Sequence, residues 1–510
     1  MKGLVRPASD EAGLAFSGVA ILGAMLVFAP LIKGGNRPLP LLILELTAIV
    51  LLFLLLLRPG FGQQLSRPLL VALGALIALP LVQLLPLPEF LWNWLPGRAL
   101  YADALTAVGS APHYRTLSLI PGATESALFV LLVPLAVFLA TVSTSQTQLR
   151  QLINLFIGLA VLQAIIGLAQ FGTGSLTVFW PPAEGRIGSA YGTYPNYDHF
   201  AGFLEMALPL VLALLIAHID FGSQRSPGRQ RSQNLRKRIA QLFASGIRFN
   251  TVAIYTGAAL AILLGLIFSR SRTAIALTML CILLCALIFG SRVGGQRSSR
   301  LVTLLTVIGF ALALEIGLAP VLARFADGGL VDHTRLSIFA GTIQGIREFF
   351  PFGSGLGSYP AVFRRFQPGD VPYFVNHAHN DYLEWLFEGG LVAAALMLAF
   401  LTLYVLRWRE IWPSGEERWA PITFVRIAAG IGLLLMGLHG LIDFNLHIPA
   451  NAAYFAFLAG IFFHPGAGGG LDKPGVKPKS VKSVAKMSPP PIPAAAAAQP
   501  PPDVRNPFAD

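Results

Sequence analysis

The sequence predicts an all-α, polytopic integral membrane protein of about twelve transmembrane helices, with a large structured loop on one face and a disordered C-terminal tail. Three observations carry this. Apolar runs of about 20 residues, the length that crosses a bilayer, recur along the chain. Of the 510 residues 55% are hydrophobic and only 12% charged, and the mean hydropathy is +0.66. The Lys and Arg residues gather in particular loops between the runs, the pattern that orients membrane proteins. A net charge of +12 is therefore a topology signal, and no nucleic-acid partner is expected.

Taken in order, spans are expected at about 13–33, 39–58, 68–87, 126–145, 150–172, 199–218, 251–269, 273–290, 302–323, 389–407, 421–441 and 447–463. The first three and the ninth are the plainest. The last is short and contains Pro449 and Asn451. Lys2, Arg6, Asp10 and Glu11 precede the first run without a small-residue cleavage site, so a retained first helix is expected. Cys281 and Cys285 share one face of the eighth span and read as two small apolar residues, with no ligand partner near them in sequence.

Orientation follows from the basic residues. Loop 219–250 holds Arg225, Arg229, Arg231, Arg236, Lys237, Arg238 and Arg248; loop 291–301 holds Arg292, Arg297 and Arg300; loop 408–420 holds Arg409 and Arg418. The tail carries Lys473, Lys477, Lys479, Lys482 and Lys486. Twelve spans with both termini cytoplasmic put all four segments inside, with Lys33 and Arg37 a local exception. Residues 1–466 are expected to form the membrane domain, with an outward loop at about 324–388. Residues 467–510, rich in Pro, Ala and Lys, cannot bury a core and form the tail. The loop is neither low in complexity nor strongly charged. Leu336, Phe339, Ala340, Ile343, Ile346 and Phe349 give it a helical stripe, followed by Pro351-Phe352-Gly353-Ser354-Gly355-Leu356-Gly357.

Polar chemistry concentrates where that loop meets the tenth span. Residues 376–385 (NHAHNDYLEW) gather two His, an Asn, an Asp and a Glu at a helix mouth, and ionisable groups beside lipid are expensive to keep. Asp198 and His199 sit at the mouth of the sixth span. His439 and Asp443, four residues apart, lie near the outer end of the eleventh, followed by Asn445 and His447. Helix-packing hydrogen bonds explain these pairs as readily as function. No Walker loop is present, so ATP coupling is not expected. No metal or other cofactor is expected either. His377, His379 and Asp381 are read as hydrogen-bonding groups, and no set of three or four ligands has convincing metal spacing.

The order of motifs resembles the O-antigen ligase/polymerase superfamily of bacterial envelope glycosyltransferases, over roughly residues 110–465. Residues 186–210 (RIGSAYGTYPNYDHFAGFLEMALPL) resemble that family's Gly-Thr, Asn and His/Phe-Ala segment leading into a span. Ser271-Arg272-Thr273-Ala274 is similar to its Ser-Arg-Gly-Ala turn, with Thr in place of Gly. Arg335 with the Gly-rich run at 351–357 resembles the Arg and Pro-x-x-Gly-x-Gly-x-Gly of its large periplasmic loop. His379-Asn380, followed by Gly390-Leu391-Val392-Ala393, resembles its His-Asn and Gly-x-x-Gly, the last Gly being Ala here.

The resemblance implies a multi-pass enzyme of the bacterial inner membrane. It would move a glycan from an undecaprenyl-diphosphate-linked donor to a lipid or glycan acceptor. A diphosphate calls for planar, bidentate donors, which Arg supplies. Arg270, Arg272, Arg335, Arg347 and Arg186 are the candidates. Arg270 and Arg272 read otherwise as interfacial snorkelling residues, and Arg335 and Arg347 are expected along one helix face. Gly353, Gly355 and Gly357 are expected to let backbone amides approach an anionic or sugar group. His379 is the leading catalytic residue, because imidazole can accept a hydroxyl proton near neutrality. It could instead contact the diphosphate. Asn380 would fix it or cap the following helix. His377, Asp381, His199, His439 and Asp443 are expected around them. Glu384 and Glu388 fit structural roles at least as well. Ligation and repeat-unit polymerisation share these motifs, and a solute transporter is the alternative from another class. Transporters, however, commonly carry internal repeats, and none is visible here.

Overall fold

In the computed structural model, residues 8–63, 65–110, 113–173, 188–223, 251–290, 333–412 and 419–465 are described, all within one unit, Met1–Ala467. The expected span 302–323, loops 224–250 and 291–301, Arg186 and the tail 467–510 lie outside the described residues.

Proline opens several helices, where its fixed φ and missing N–H do least harm. It stands at the start of Pro38–Leu56, Pro121–Val142, Pro421–His439 and Pro449–Phe463. Eight described helices are long and apolar enough to cross a membrane: Pro38–Leu56, Pro121–Val142, Gln146–Thr173, Tyr197–His218, Thr251–Phe268, Arg272–Gly290, Asp381–Ile411 and Pro421–His439. Three shorter apolar helices, Ser17–Leu31, Arg67–Gln83 and Pro449–Phe463, fall on the first, third and last expected spans. The protein is thus all-α and polytopic. Its one sheet among the described residues is a two-stranded pairing of Pro86–Pro88 with Tyr114–Thr116.

Tyr197–His218 is buried from His199 to Ala217, as a helix apolar on every side must be. Around it Phe156, Phe203, Tyr454 and Phe457 interlock, with ring centroids 4.6 to 5.5 Å apart. At one end of the bundle Arg407 donates to the Phe462 and His464 carbonyls (3.0 and 2.8 Å), and Arg426 also donates to His464. These cations cover the carbonyl-rich terminus of the last helix, where the dipole is negative.

Loops at the other end carry the polar residues. The helix expected at 389–407 starts earlier, at Asp381, because the Asn380 side chain caps it. Its Oδ1 accepts the Tyr382 and Leu383 N–H groups at 3.0 and 2.9 Å. The helix then kinks at Gly390 (φ 55°, ψ −136°), a conformation open to glycine alone. The kink frees the Phe387 and Glu388 carbonyls, which accept the Ser354 and Gly355 N–H groups at 3.0 and 2.9 Å.

The Gly-rich turn therefore does something other than expected. Its amides are consumed by the helix, and Leu356 N–H is taken by Gln83. A Cβ at Gly353 would strike the Glu388 carbonyl. These glycines serve close packing. The loop helix His333–Phe349 also turns a different face inward: Ile338, Gly341, Thr342, Gly345 and Phe349 are buried, while Leu336 and Ile343 are exposed. Its small residues admit the Phe363, Phe366 and Phe387 rings. Residues 84–110 and 113–120 add a set of short elements that the sequence reading does not anticipate. Buried Arg98 binds it to the turn, donating to the Leu117 and Gly353 carbonyls at 2.8 and 2.9 Å.

Candidate functional site

The site is made where residues 377–384, the loop after Pro421–His439, and the head of Tyr197–Ser223 meet. Asn380 Nδ2 donates to the Leu441 carbonyl (2.7 Å), the Asp381 N–H to Gly440 (2.8 Å) and the Tyr382 hydroxyl to Gly437 (2.6 Å). These bonds stitch the two loops together. They also hold His379 at φ 53°, a left-handed conformation that costs a non-glycine residue about 1–3 kcal/mol and persists where neighbours impose it. Besides Lys33, the other described non-glycine residue with positive φ is Arg270 (60°).

One ring, Phe444, keys three imidazoles. His377 stacks on it (4.3 Å, 20°), and His379 and His199 meet it edge-on at 5.0 and 4.7 Å. Asp443 lies between the last two: its Oδ1 is 3.5 Å from His379 Nδ1 and its Oδ2 3.7 Å from His199 Nε2. Those are ion-pair distances without a formed hydrogen bond, and the Asp443 oxygens, both His199 nitrogens and His379 Nδ1 are otherwise buried without a hydrogen-bond partner. Burial alone would raise the Asp443 pKa. The imidazoles of His379, His199 and His439 outweigh it and hold the carboxyl well below its usual range. His379 is thus oriented through Nδ1 by a carboxylate while its ring stays 29% exposed. That arrangement can accept a proton at the free nitrogen and stabilise the imidazolium.

A second group adjoins the first. His377 Nδ1 and His447 Nε2 both approach Glu384 Oε1, at 2.8 and 3.3 Å, and His447 Nδ1 meets Asp381 Oδ1 at 2.7 Å. Burial would lower the His447 pKa, but Glu384 and Asp381 on either side raise it to about 10. Deeper in the bundle, His439 Nδ1 pairs with buried Glu205 Oε2 at 3.1 Å. Glu205 was overlooked, although a lone carboxylate inside an apolar span is itself a signal. Glu384 and His447 are 63 positions apart (447 − 384), and no spacing rule joins them.

Among the arginines, Arg335 is closest to this chemistry, donating to the Ile442 carbonyl at 2.8 Å, next to Asp443. Arg270 and Arg272 are exposed on either side of buried Ser271, which lies beside Asp198. Arg270 also covers the Phe171 ring at 5.6 Å. Arg347 does not share the face of Arg335: twelve residues at about 100° each leave the two about 120° apart. It is exposed at the far end of its helix. Arg186 lies outside the described residues. The structure therefore gathers His379, Asn380, His377, Asp381, His199, His439, Asp443 and Arg335, sets Arg270 and Arg272 on a neighbouring turn, and leaves Arg347 apart.

Fold and site define a multi-pass membrane protein with a cluster of titratable groups at one end of its bundle. Residues 257–398 match the O-antigen ligase family, a finding that supports the O-antigen ligase superfamily for that segment. The match supports a function of the O-antigen ligase/polymerase type in general. No curated protein matches the chain.

Proposed function

We propose that the protein transfers a glycan from an undecaprenyl-diphosphate-type carrier to an acceptor hydroxyl on the periplasmic face of the bacterial inner membrane, with both termini cytoplasmic. The observation that carries this is His379: strained, partly exposed and backed at Nδ1 by Asp443, whose chain neighbour Ile442 accepts a hydrogen bond from Arg335. Residues 1–466 supply the whole machinery, with 467–510 as a separate tail.

In the reaction, the free nitrogen of His379 takes the acceptor hydroxyl proton as its oxygen attacks the anomeric carbon. The bond from that carbon to the diphosphate oxygen breaks, and undecaprenyl diphosphate leaves with the electron pair. Asp443 stabilises the imidazolium. Arg272 and Arg335, with Arg270 beside them, offset the charge that gathers on the leaving diphosphate. Transfer draws on no ATP and no metal bound to the diphosphate, because the arginines supply that charge. A single direct displacement inverts the anomeric configuration.

The test is reconstitution of the purified full chain with lipid-linked donor and acceptor. Product with inverted configuration from the wild type, and none from His379→Ala inserted at the same level, is the expected result. Retention of configuration would overturn the direct attack.

A further inference from the structure

We propose that His377, Glu384 and His447 form a binding site for one divalent transition-metal ion of the zinc class. One ligand atom from each lies within 4.8 Å of the others. Both imidazoles aim a nitrogen at the same oxygen, Glu384 Oε1, at 2.8 and 3.3 Å. Two imidazole nitrogens and one carboxylate oxygen are the donor set of three-ligand zinc sites that keep a fourth position open.

The outer atoms of two of these ligands, His447 and Glu384, are already engaged. His447 Nδ1 is held by Asp381 Oδ1 at 2.7 Å, the carboxylate–imidazole support that fixes the tautomer and turns Nε2 toward a metal. Glu384 Oε2 accepts the Ala378 N–H at 2.7 Å, leaving Oε1 for the ion. Asp381 is itself held by the Leu446 N–H at 3.2 Å. A dication would take the place of the proton that His447 Nε2 presents to Glu384 Oε1, and that proton would leave to solvent. Among the described residues the ion pairs of Asp381 and Glu384 are with histidines, never with Lys or Arg. Access is open too: the side chains of His377 and His447 are 23% and 19% exposed, whereas Glu384 is buried. The three ligands come from a loop, a helix and a 3-10 turn, so one ion would tie together the segments that carry His379 and Asp443. His379 is not among the ligands, and the site rests on its own geometry, independent of the transfer reaction.

The experiment uses the full chain, purified through a tag without histidines and placed in lipid nanodiscs. It is stripped with a chelator and titrated with Zn²⁺ against a chromophoric competitor. One equivalent per chain is expected, with a rise in melting temperature. Asp381→Asn, which removes only the support, is expected to weaken binding roughly 10- to 100-fold, and His447→Ala by at least as much. If a variant fails to fold, the X-ray absorption spectrum of zinc-loaded wild type decides: two imidazole ligands are expected. Oxygen-only ligation, or zinc retention by wild type no greater than by a folded His377→Ala/His447→Ala variant, overturns the site.

Discussion

Replacing Asp443 by Asn removes the charge behind His379 and leaves its shape. At 3.5 Å, two unit charges in an effective dielectric of about 20 attract by about 5 kcal/mol. The His379 ring is 29% exposed, so solvent takes part of that, and about 2–3 kcal/mol of imidazolium stabilisation remains. In the proposed reaction His379 gains positive charge as the acceptor hydroxyl gives up its proton, so the loss falls on the transition state. At 1.36 kcal/mol per decade, turnover should fall on the order of a hundredfold, with KM for the donor little changed. The assay is single-turnover transfer from lipid-linked donor, with helix content and insertion checked by circular dichroism and membrane fractionation. Turnover within about threefold of wild type in a correctly inserted Asn variant would show that Asp443 does not act through His379.

His379→Ala should lower transfer by at least about 10²-fold, the range of a lost general base, with insertion intact; normal product on a polysaccharide gel would remove it as base. Arg272→Lys should weaken donor binding on the order of ten- to hundredfold, the equivalent of one charge-assisted hydrogen bond of about 1.5–3 kcal/mol; equal affinity in a lipid-binding assay would reduce it to a membrane-edge charge. Asn380→Ala should destabilise the protein by about 1 kcal/mol or more through loss of the helix cap, read as a lower melting temperature. Deleting 467–510 should leave transfer nearly unchanged, and a large loss at equal expression would mean that the tail recruits a partner.

The spans were legible because a bilayer demands a long apolar run, and a run is a local property that a single sequence displays. His379, Asn380 and Asp443 were legible for the converse reason: polar groups at helix mouths stand out against an apolar background. Pairings across the chain were not. His447 is brought to Glu384 by the return of the chain after Pro421–His439, which no spacing records. The Gly-rich turn misled because a glycine that admits a ligand and one that admits a helix carbonyl are identical in sequence; only the Gly390 kink tells them apart. Residues 84–120 were missed because their elements are three to nine residues long, too short to show a period. Arg335 and Arg347 are twelve residues apart, close to three turns, and the remainder of about 120° separates their faces.

The kink at Gly390 divides one helix between two environments. On its loop side, Asp381, Glu384, Phe387 and Glu388 are buried and bonded to protein. Beyond it, Leu391, Val392, Leu398, Leu401 and Val405 are exposed on the apolar span. The turn between them is pinned: the Leu391 N–H donates to the Pro351 carbonyl at 2.8 Å, and a Cβ at Gly390 would strike that same carbonyl. One helix thus belongs to the loops at its head and to the apolar surroundings along its shaft, and the glycine marks the border.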